Sequence, residues 1–137
     1  MLLAGKSDVS VSQLATQSLY PRLLKAGIEI YEYQPQILHA KLFIIDDVVY
    51  VGSANLDPRS LYINYELMIR FRSAEMAQQA HEVFQTNLLH SQAITLENWR
   101  RSHSLWRRLK RHWAYLLLVR LDPYIAHRQW KALRLHR

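Results

Sequence analysis

The segment "HAKLFIIDDVVYVGSAN", residues 39–55, decides the predicted fold because two apolar runs in it flank a pair of aspartates. Apolar residues over 37–45 and 48–51 predict two strands, and the aspartates between them are typical turn residues. The segment therefore predicts a β-hairpin. Side chains two positions apart on a strand leave the same face, so we expect His39 and Lys41 to lie side by side.

Polar residues also end the second strand, where Ser53 and Asn55 stand two positions apart. If the hairpin aligns the two pairs, an imidazole, an ammonium, a hydroxyl and an amide converge, a set that suits a phosphodiester. Lys41, Ser53 and Asn55 can bind its non-bridging oxygens, and the neutral imidazole can attack phosphorus. Glu66, at the start of the next predicted strand, is the candidate carboxylate for fixing the imidazole tautomer.

Alignment of these pairs depends on the length of the turn. With a two-residue turn at Asp46 and Asp47, Ser53 and Asn55 would point to the face opposite that of Lys41. We therefore predict a three-residue loop over 46–48 or a bulge. Asp47 is expected to adopt the unusual backbone angle, since no glycine is available there.

The elements around the hairpin alternate between helix and strand. Helical spacing over 11–19 stops at Pro21, where we predict a break, and period-two alternation over 28–33 predicts a strand. Residues 65–71 predict another strand, and 73–88 predict a helix capped by its first serine. Interleaving of this kind predicts an α/β fold (α+β, with a mixed sheet).

Charge divides the chain of 137 residues into a body and a tail. Residues 1–98 hold seven basic and ten acidic side chains, whereas 99–137 hold eleven basic and one acidic, together with all four tryptophans. We therefore predict a catalytic unit over 1–96 and a basic helical tail over 97–137. Half of the residues are apolar and none is cysteine, which argues against disorder and excludes a disulfide framework or a thiolate zinc site.

The tail places three tryptophans at intervals of seven residues, which predicts one helical stripe. Our interpretation is an interfacial helix, with indoles at the headgroup level and basic side chains on anionic lipid. A helix that packs its stripe on the body and a nucleic-acid-binding helix are the alternatives, the last being the less favoured. The predicted membrane-surface residues are Trp99, Trp106, Arg107, Arg108, Lys110, Arg111 and Trp113.

The pattern His39-x-Lys41-x4-Asp46, followed by Gly52-Ser53-x-Asn55, resembles the HKD motif of the phospholipase D superfamily. Flanking text such as "LLKAGIEIYEYQP" and "VGSANLDPRSLYINYEL" is similar to the C-terminal half of bacterial cardiolipin synthases. The resemblance implies a phospholipase D-like half-domain that transfers a phosphatidyl group through a phosphohistidine, with no metal or other cofactor. It implies that His39 is a catalytic histidine supported by Glu66, that Lys41, Ser53 and Asn55 bind phosphate, and that Asp46 is the motif aspartate.

Enzymes of that kind use two HKD motifs, and this chain contains one. A second motif would come from a homodimer or from a missing N-terminal half. The implied partners are a phospholipid such as phosphatidylglycerol and an anionic membrane surface, with peripheral attachment at the cytoplasmic face of a bacterial inner membrane. Two other hypotheses stay open: a homodimeric phosphodiesterase or nuclease of the same superfamily, and a non-catalytic membrane-binding fragment.

Overall fold

A computed structural model describes residues 1–57, 60–61, 64–101 and 104–118. Strands and helices alternate through these residues, which confirms the predicted α/β class. Their bounds are β1 (Leu2–Ala4), α1 (Ser10–Lys25), β2 (Ile30–Tyr33), β3 (Leu42–Ile45), β4 (Val48–Gly52), β5 (Met68–Arg72), α2 (Ala74–Leu89), β6 (Ser91–Ile94), α3 (Leu96–Arg101) and α4 (Leu105–Leu116).

The strands form two three-stranded sheets within the described part of the chain. In the first sheet, β2 lies between a parallel neighbour, β1, and an antiparallel neighbour, β6. Parallel strands need a crossover between them, and α1 provides it. The second sheet is antiparallel, in the order β3-β4-β5, and α2 packs against strands of both sheets. The sequence predicted a mixed sheet, and the first sheet is mixed, whereas the second is purely antiparallel.

Helix α1 runs without interruption through Pro21, so the predicted break is wrong. A proline inside a helix removes one hydrogen bond and costs about 3 kcal/mol in an otherwise favourable helix. Burial of Tyr20 against Ile30 of the first sheet offsets that cost. The helix ends at Lys25, and Gly27 follows just past the end with a φ of 82° that suits glycine.

The core gathers around three large side chains from different elements: Tyr20 of α1, Ile30 of β2 and Trp99 of α3. The Tyr20 hydroxyl donates to Oε1 of Glu32 at 3.0 Å, which satisfies the polar end of this buried ring. Burial, and then the neighbouring Glu32 carboxylate, raise the pKa of Tyr20 well above its usual value. The phenol is therefore neutral throughout the ordinary pH range.

Two serines cap helices that follow the core elements. Ser73 accepts a hydrogen bond from the backbone N–H of Met76 at the start of α2, as the sequence predicts. Ser104 does the same for Arg107 at the start of α4. Because α4 begins at its own cap, α3 and α4 are separate helices and the tail is not one continuous helix.

Candidate active site

The β3–β4 hairpin closes through a two-residue turn, so the predicted three-residue loop is wrong. Ile45 pairs with Val48, which leaves only Asp46 and Asp47 between the strands. The left-handed backbone conformation falls on Asp46, at a φ of 52°, and not on Asp47 as predicted. A positive φ at the first position of a two-residue turn suits the right-handed twist of the hairpin, and aspartate tolerates it better than most residues.

The two basic residues of the motif lie just before β3, because that strand begins at Leu42 and not at residue 37. The Gly52 N–H donates to the Lys41 carbonyl oxygen at 3.3 Å, so the ladder extends by one bond beyond the strand. The Lys41 ammonium donates to the backbone oxygen of His39 at 3.0 Å, and the His39 side chain is exposed. The register therefore places Lys41 opposite Gly52, with Ser53 one position further along.

Glu66 connects the residues at the end of the hairpin. Its Oε2 accepts a hydrogen bond from the Ser53 hydroxyl at 2.5 Å, and its Oε1 accepts one from the Asn64 amide at 3.4 Å. The Ser53 oxygen in turn accepts the Leu67 N–H at 3.0 Å. Ser53 thereby links the end of β4 to the segment that leads into β5.

Electrostatics keep this carboxyl group ionised. The hydrogen bond from Ser53 is the largest cause that lowers the pKa of Glu66, followed by one from Ser60. Partial desolvation opposes these effects, while Asn64 and the positive charge of Lys41 lower the pKa further. A carboxylate and a hydroxyl are therefore joined at the end of the hairpin, and the charge of Lys41 adds a smaller attraction.

The structure unites only part of the predicted site. Ser53 and Glu66 are hydrogen-bonded, but the two-residue turn places Lys41 opposite Gly52 and not Ser53, so the predicted alignment of Lys41 with Ser53 is wrong. Among the described residues no hydrogen bond joins Glu66 to His39. The Asn55 side chain is exposed, and its amide likewise has no hydrogen-bond partner in the described part of the chain. The expected hydrogen bond between Glu66 and His39 stays a prediction, since in this structure Oε2 of Glu66 accepts the hydroxyl of Ser53.

Close approach of two backbones explains the glycine of the motif. A Cβ on Gly52 would lie 2.0 Å from the Leu67 carbonyl oxygen and 2.9 Å from the Cα of Met68. Only glycine fits there, so the motif glycine holds β4 against the segment that carries Glu66. Sequence reasoning missed Ser60 and Asn64, and the one available signal was that Asn64 stands two positions before Glu66.

A model of a known protein family matches most of this region. The family is described as cardiolipin synthase, phospholipase D-like domain, and the match covers residues 1–88, which include the hairpin and Glu66. The chain belongs to this family. The predicted resemblance is thereby confirmed.

Cardiolipin synthases of several bacteria are similar to this member of the family. Cardiolipin synthase 1 of Bacillus anthracis is 38% identical over 95 residues, which cover 69% of this chain and 19% of the relative. The major cardiolipin synthase ClsA of Bacillus subtilis (strain 168) is 33% identical over 118 residues, which cover 85% of this chain and 24% of the relative. Cardiolipin synthase A of Pseudomonas entomophila (strain L48) is 31% identical over 106 residues, which cover 77% of this chain and 22% of the relative.

The chain spans about a fifth of the length of the curated relatives that it matches. No solved structure matches it at a significant level. Among the residues that the structure describes, no helix is both long enough and apolar enough to cross a membrane. No group of three or more side chains suited to hold a metal ion occurs among them either.

Proposed function

We propose that this cardiolipin synthase-like chain supplies one of the two catalytic motifs of a phosphatidyltransferase. The observation that carries the proposal is the hydrogen bond from the Ser53 hydroxyl to Glu66 at the end of the hairpin. Ser53 and Glu66 lie in the span that the family model matches, which also contains the histidine of the motif. The names of the relatives support cardiolipin as the product.

In the proposed reaction, a ring nitrogen of His39 attacks the phosphorus of a phospholipid such as phosphatidylglycerol. A nitrogen–phosphorus bond forms, the phosphorus–oxygen bond to the first alcohol breaks, and a second histidine donates a proton to the departing alcohol. The hydroxyl of another phospholipid then attacks phosphorus, the nitrogen–phosphorus bond to His39 breaks, and the second histidine, now a base, takes the proton of that hydroxyl. Lys41 offsets the charge on the non-bridging oxygens in both steps.

Ser53 has one hydroxyl proton, and this limits what Ser53 and Glu66 can do at one time. While Ser53 donates to Glu66, it has no proton to offer a phosphate oxygen. A bound phosphodiester would draw the hydroxyl toward its own oxygen, and Oε2 of Glu66 would then be open to accept the N–H of His39. We place the predicted contact between Glu66 and His39 in that loaded state, where it would steady the imidazolium as charge develops.

The second histidine is proposed to come from another HKD motif, either in a second copy of this chain or in an N-terminal half. The enzyme is proposed to work at the cytoplasmic face of a bacterial inner membrane as a peripheral protein. Asp46 stands in the turn with a strained backbone, and its proposed role is to shape the hairpin.

The test uses a substrate that does not need the second histidine. Bis(p-nitrophenyl) phosphate has a leaving group that departs without a general acid, so the chain alone should release p-nitrophenolate in a burst. His39 should gain the mass of the corresponding phosphoryl adduct, located by peptide mass spectrometry. With phosphatidylglycerol vesicles, any cardiolipin formed should depend on the same histidine.

The matched control is His81, an exposed histidine on α2 that lies outside the motif. His39→Ala should abolish the burst and the adduct, whereas His81→Ala should keep both. The proposal is wrong if wild-type protein forms no adduct, or if the two alanine variants behave alike.

A further inference from the structure

An open crevice runs between α1 and α4, away from the hairpin. Its volume is about 720 Å³, and except for Lys110 its walls are apolar side chains from both helices. Val11 and Leu14 line it from α1, and Leu109 and Trp113 line it from α4, with Trp106 at its edge. A space of this size and lining is typical of sites that take apolar ligands.

The tail tryptophans divide between the core and this crevice. Trp99 is 8% exposed and packs its ring on Tyr20, with the ring centroids 5.0 Å apart. Arg111 is 4% exposed, and its guanidinium lies over the Trp99 ring, 4.4 Å from the ring centroid. Trp99 and Arg111 are therefore packing residues, which corrects the prediction that they lie on the membrane surface.

The side chains of the other two tryptophans in the stripe are exposed to solvent. Trp106 and Trp113 are 65% and 64% exposed, so α4 does not pack its tryptophan stripe on the body. The face that meets the body contains Arg111 and Ala114. The exposed indoles of α4 and the exposed Val11 of α1 together form an apolar patch on the surface. Exposed apolar patches of this kind often mark interaction sites.

Charge on the two helices points to the kind of partner. Neither α1 nor α4 carries an acidic residue, and α4 carries Arg107, Arg108 and Lys110 in addition to the packed Arg111. The Lys110 ammonium lies 5.9 Å from the Trp106 ring centroid, beside the apolar edge of the crevice. Exposed indoles next to cations that have long apolar stems match the boundary between lipid headgroups and acyl chains.

We propose that α1 and α4 together form a docking surface for an anionic lipid bilayer. The apolar crevice takes hydrocarbon from the facing monolayer, and the flanking basic side chains contact the headgroups. Nucleic acid fits less well, because the walls of the crevice offer an apolar cleft and not a polar groove that follows a phosphate backbone. The surface is separate from the hairpin, so it stands or falls independently of the proposed reaction.

The structure adds α1, which is far from the tail in sequence, to the proposed lipid-binding surface. One substitution in α1 tests its contribution separately from that of the tail. Val11 is 41% exposed and lies in the first turn of α1, where aspartate is compatible with the helix dipole. Val11→Asp should therefore fold normally while placing a carboxylate in the crevice. Val83→Asp is the matched control, since Val83 is an exposed valine on α2 outside the crevice.

The experiment measures sedimentation of the full chain with vesicles of phosphatidylglycerol mixed with phosphatidylcholine. Val11→Asp should weaken binding by about tenfold or more, because a charge enters an apolar contact, while Val83→Asp should bind like wild type. Vesicles of phosphatidylcholine alone, or high salt, should weaken binding of all three proteins. Brominated phosphatidylglycerol should quench tryptophan fluorescence, and most of that quenching should vanish when Trp106 and Trp113 are both phenylalanine.

Three results would overturn the proposal. Equal vesicle binding by the two aspartate variants would show that the crevice does not face lipid. A wild-type dimer that Val11→Asp dissociates, without any change in lipid binding, would assign the crevice to a second copy of the chain. Stronger binding to duplex DNA than to anionic vesicles, lost in Val11→Asp, would assign it to nucleic acid.

Discussion

Replacing Trp99 by alanine tests whether the first tail tryptophan belongs to the core. The side chain is 8% exposed, so almost all of its surface is covered by the body and by α4. Removing a buried tryptophan costs about 3–5 kcal/mol through lost transfer energy and the cavity that remains. The change also leaves the guanidinium of Arg111, itself buried, without the ring on which it stacks.

The magnitude follows from these contacts. A desolvated cation–ring contact contributes up to about 2 kcal/mol, and part of it is already counted in the cavity term. We therefore expect Trp99→Ala to lower the free energy of unfolding by about 4–5 kcal/mol. Trp106 is the matched control, because it is 65% exposed and has about a third of its surface to lose. Trp106→Ala should cost about 1–2 kcal/mol at about 25 cal/mol per Å² of apolar surface.

Urea unfolding at neutral pH, followed by circular dichroism, measures both values. Because domains have only about 5–15 kcal/mol of stability, Trp99→Ala could leave little folded protein, and Trp99→Phe provides a milder variant. Trp99→Phe keeps a ring on Tyr20 and should fall between wild type and alanine. Equal losses for Trp99→Ala and Trp106→Ala would refute the division of the tail tryptophans between core and surface.

Three further changes test the hairpin and its carboxylate. Asp46→Gly should raise the free energy of unfolding by up to about 1 kcal/mol, because glycine adopts the φ of 52° freely, while Asp47→Gly should bring no gain in the same urea assay. Gly52→Ala should destabilise the protein by about 2 kcal/mol or more, since its Cβ would lie 2.0 Å from a backbone oxygen; unchanged stability in urea unfolding would contradict that geometry. NMR titration should give Glu66 a pKa below its usual 4.5, and Ser53→Ala should raise it, because the hydroxyl is the largest cause of the shift. Because the pKa of Glu66 is lower in the folded state than in the unfolded state, Glu66 stabilises the fold at pH values above its unfolded-state pKa. This contribution is lost as the pH falls through the folded-state pKa. The loss of stability in acid that is due to Glu66 should therefore be smaller in Ser53→Ala.

Local patterns were sufficient for many elements of this chain. Two apolar runs around an aspartate pair form the β3–β4 hairpin, and Ser73 and Gly27 mark the helix ends that their chemistry favours. The motif residues indicated the family that the comparison confirms. These predictions succeed because each depends on side chains a few positions apart.

Register and pairing needed the rest of the molecule. A two-residue and a three-residue turn are both compatible with the hairpin sequence, and the close approach of Gly52 to Leu67 accompanies the shorter one. Strand β6 has two polar residues followed by two apolar ones, without alternation, and it is extended because β2 offers it an edge. The contact of Ser53 with Glu66 likewise depends on how β4 meets the segment before β5.

The tail shows the same division most clearly. Sequence determined that tryptophans recur every seven residues among arginines, a spacing that treats Trp99, Trp106 and Trp113 as equivalent. Tertiary structure made them different, because Tyr20 and Arg111 enclose Trp99 while α4 turns the other two outward. Periodicity reports which side chains share a helix face, but burial depends on the surface that the rest of the chain brings against that face.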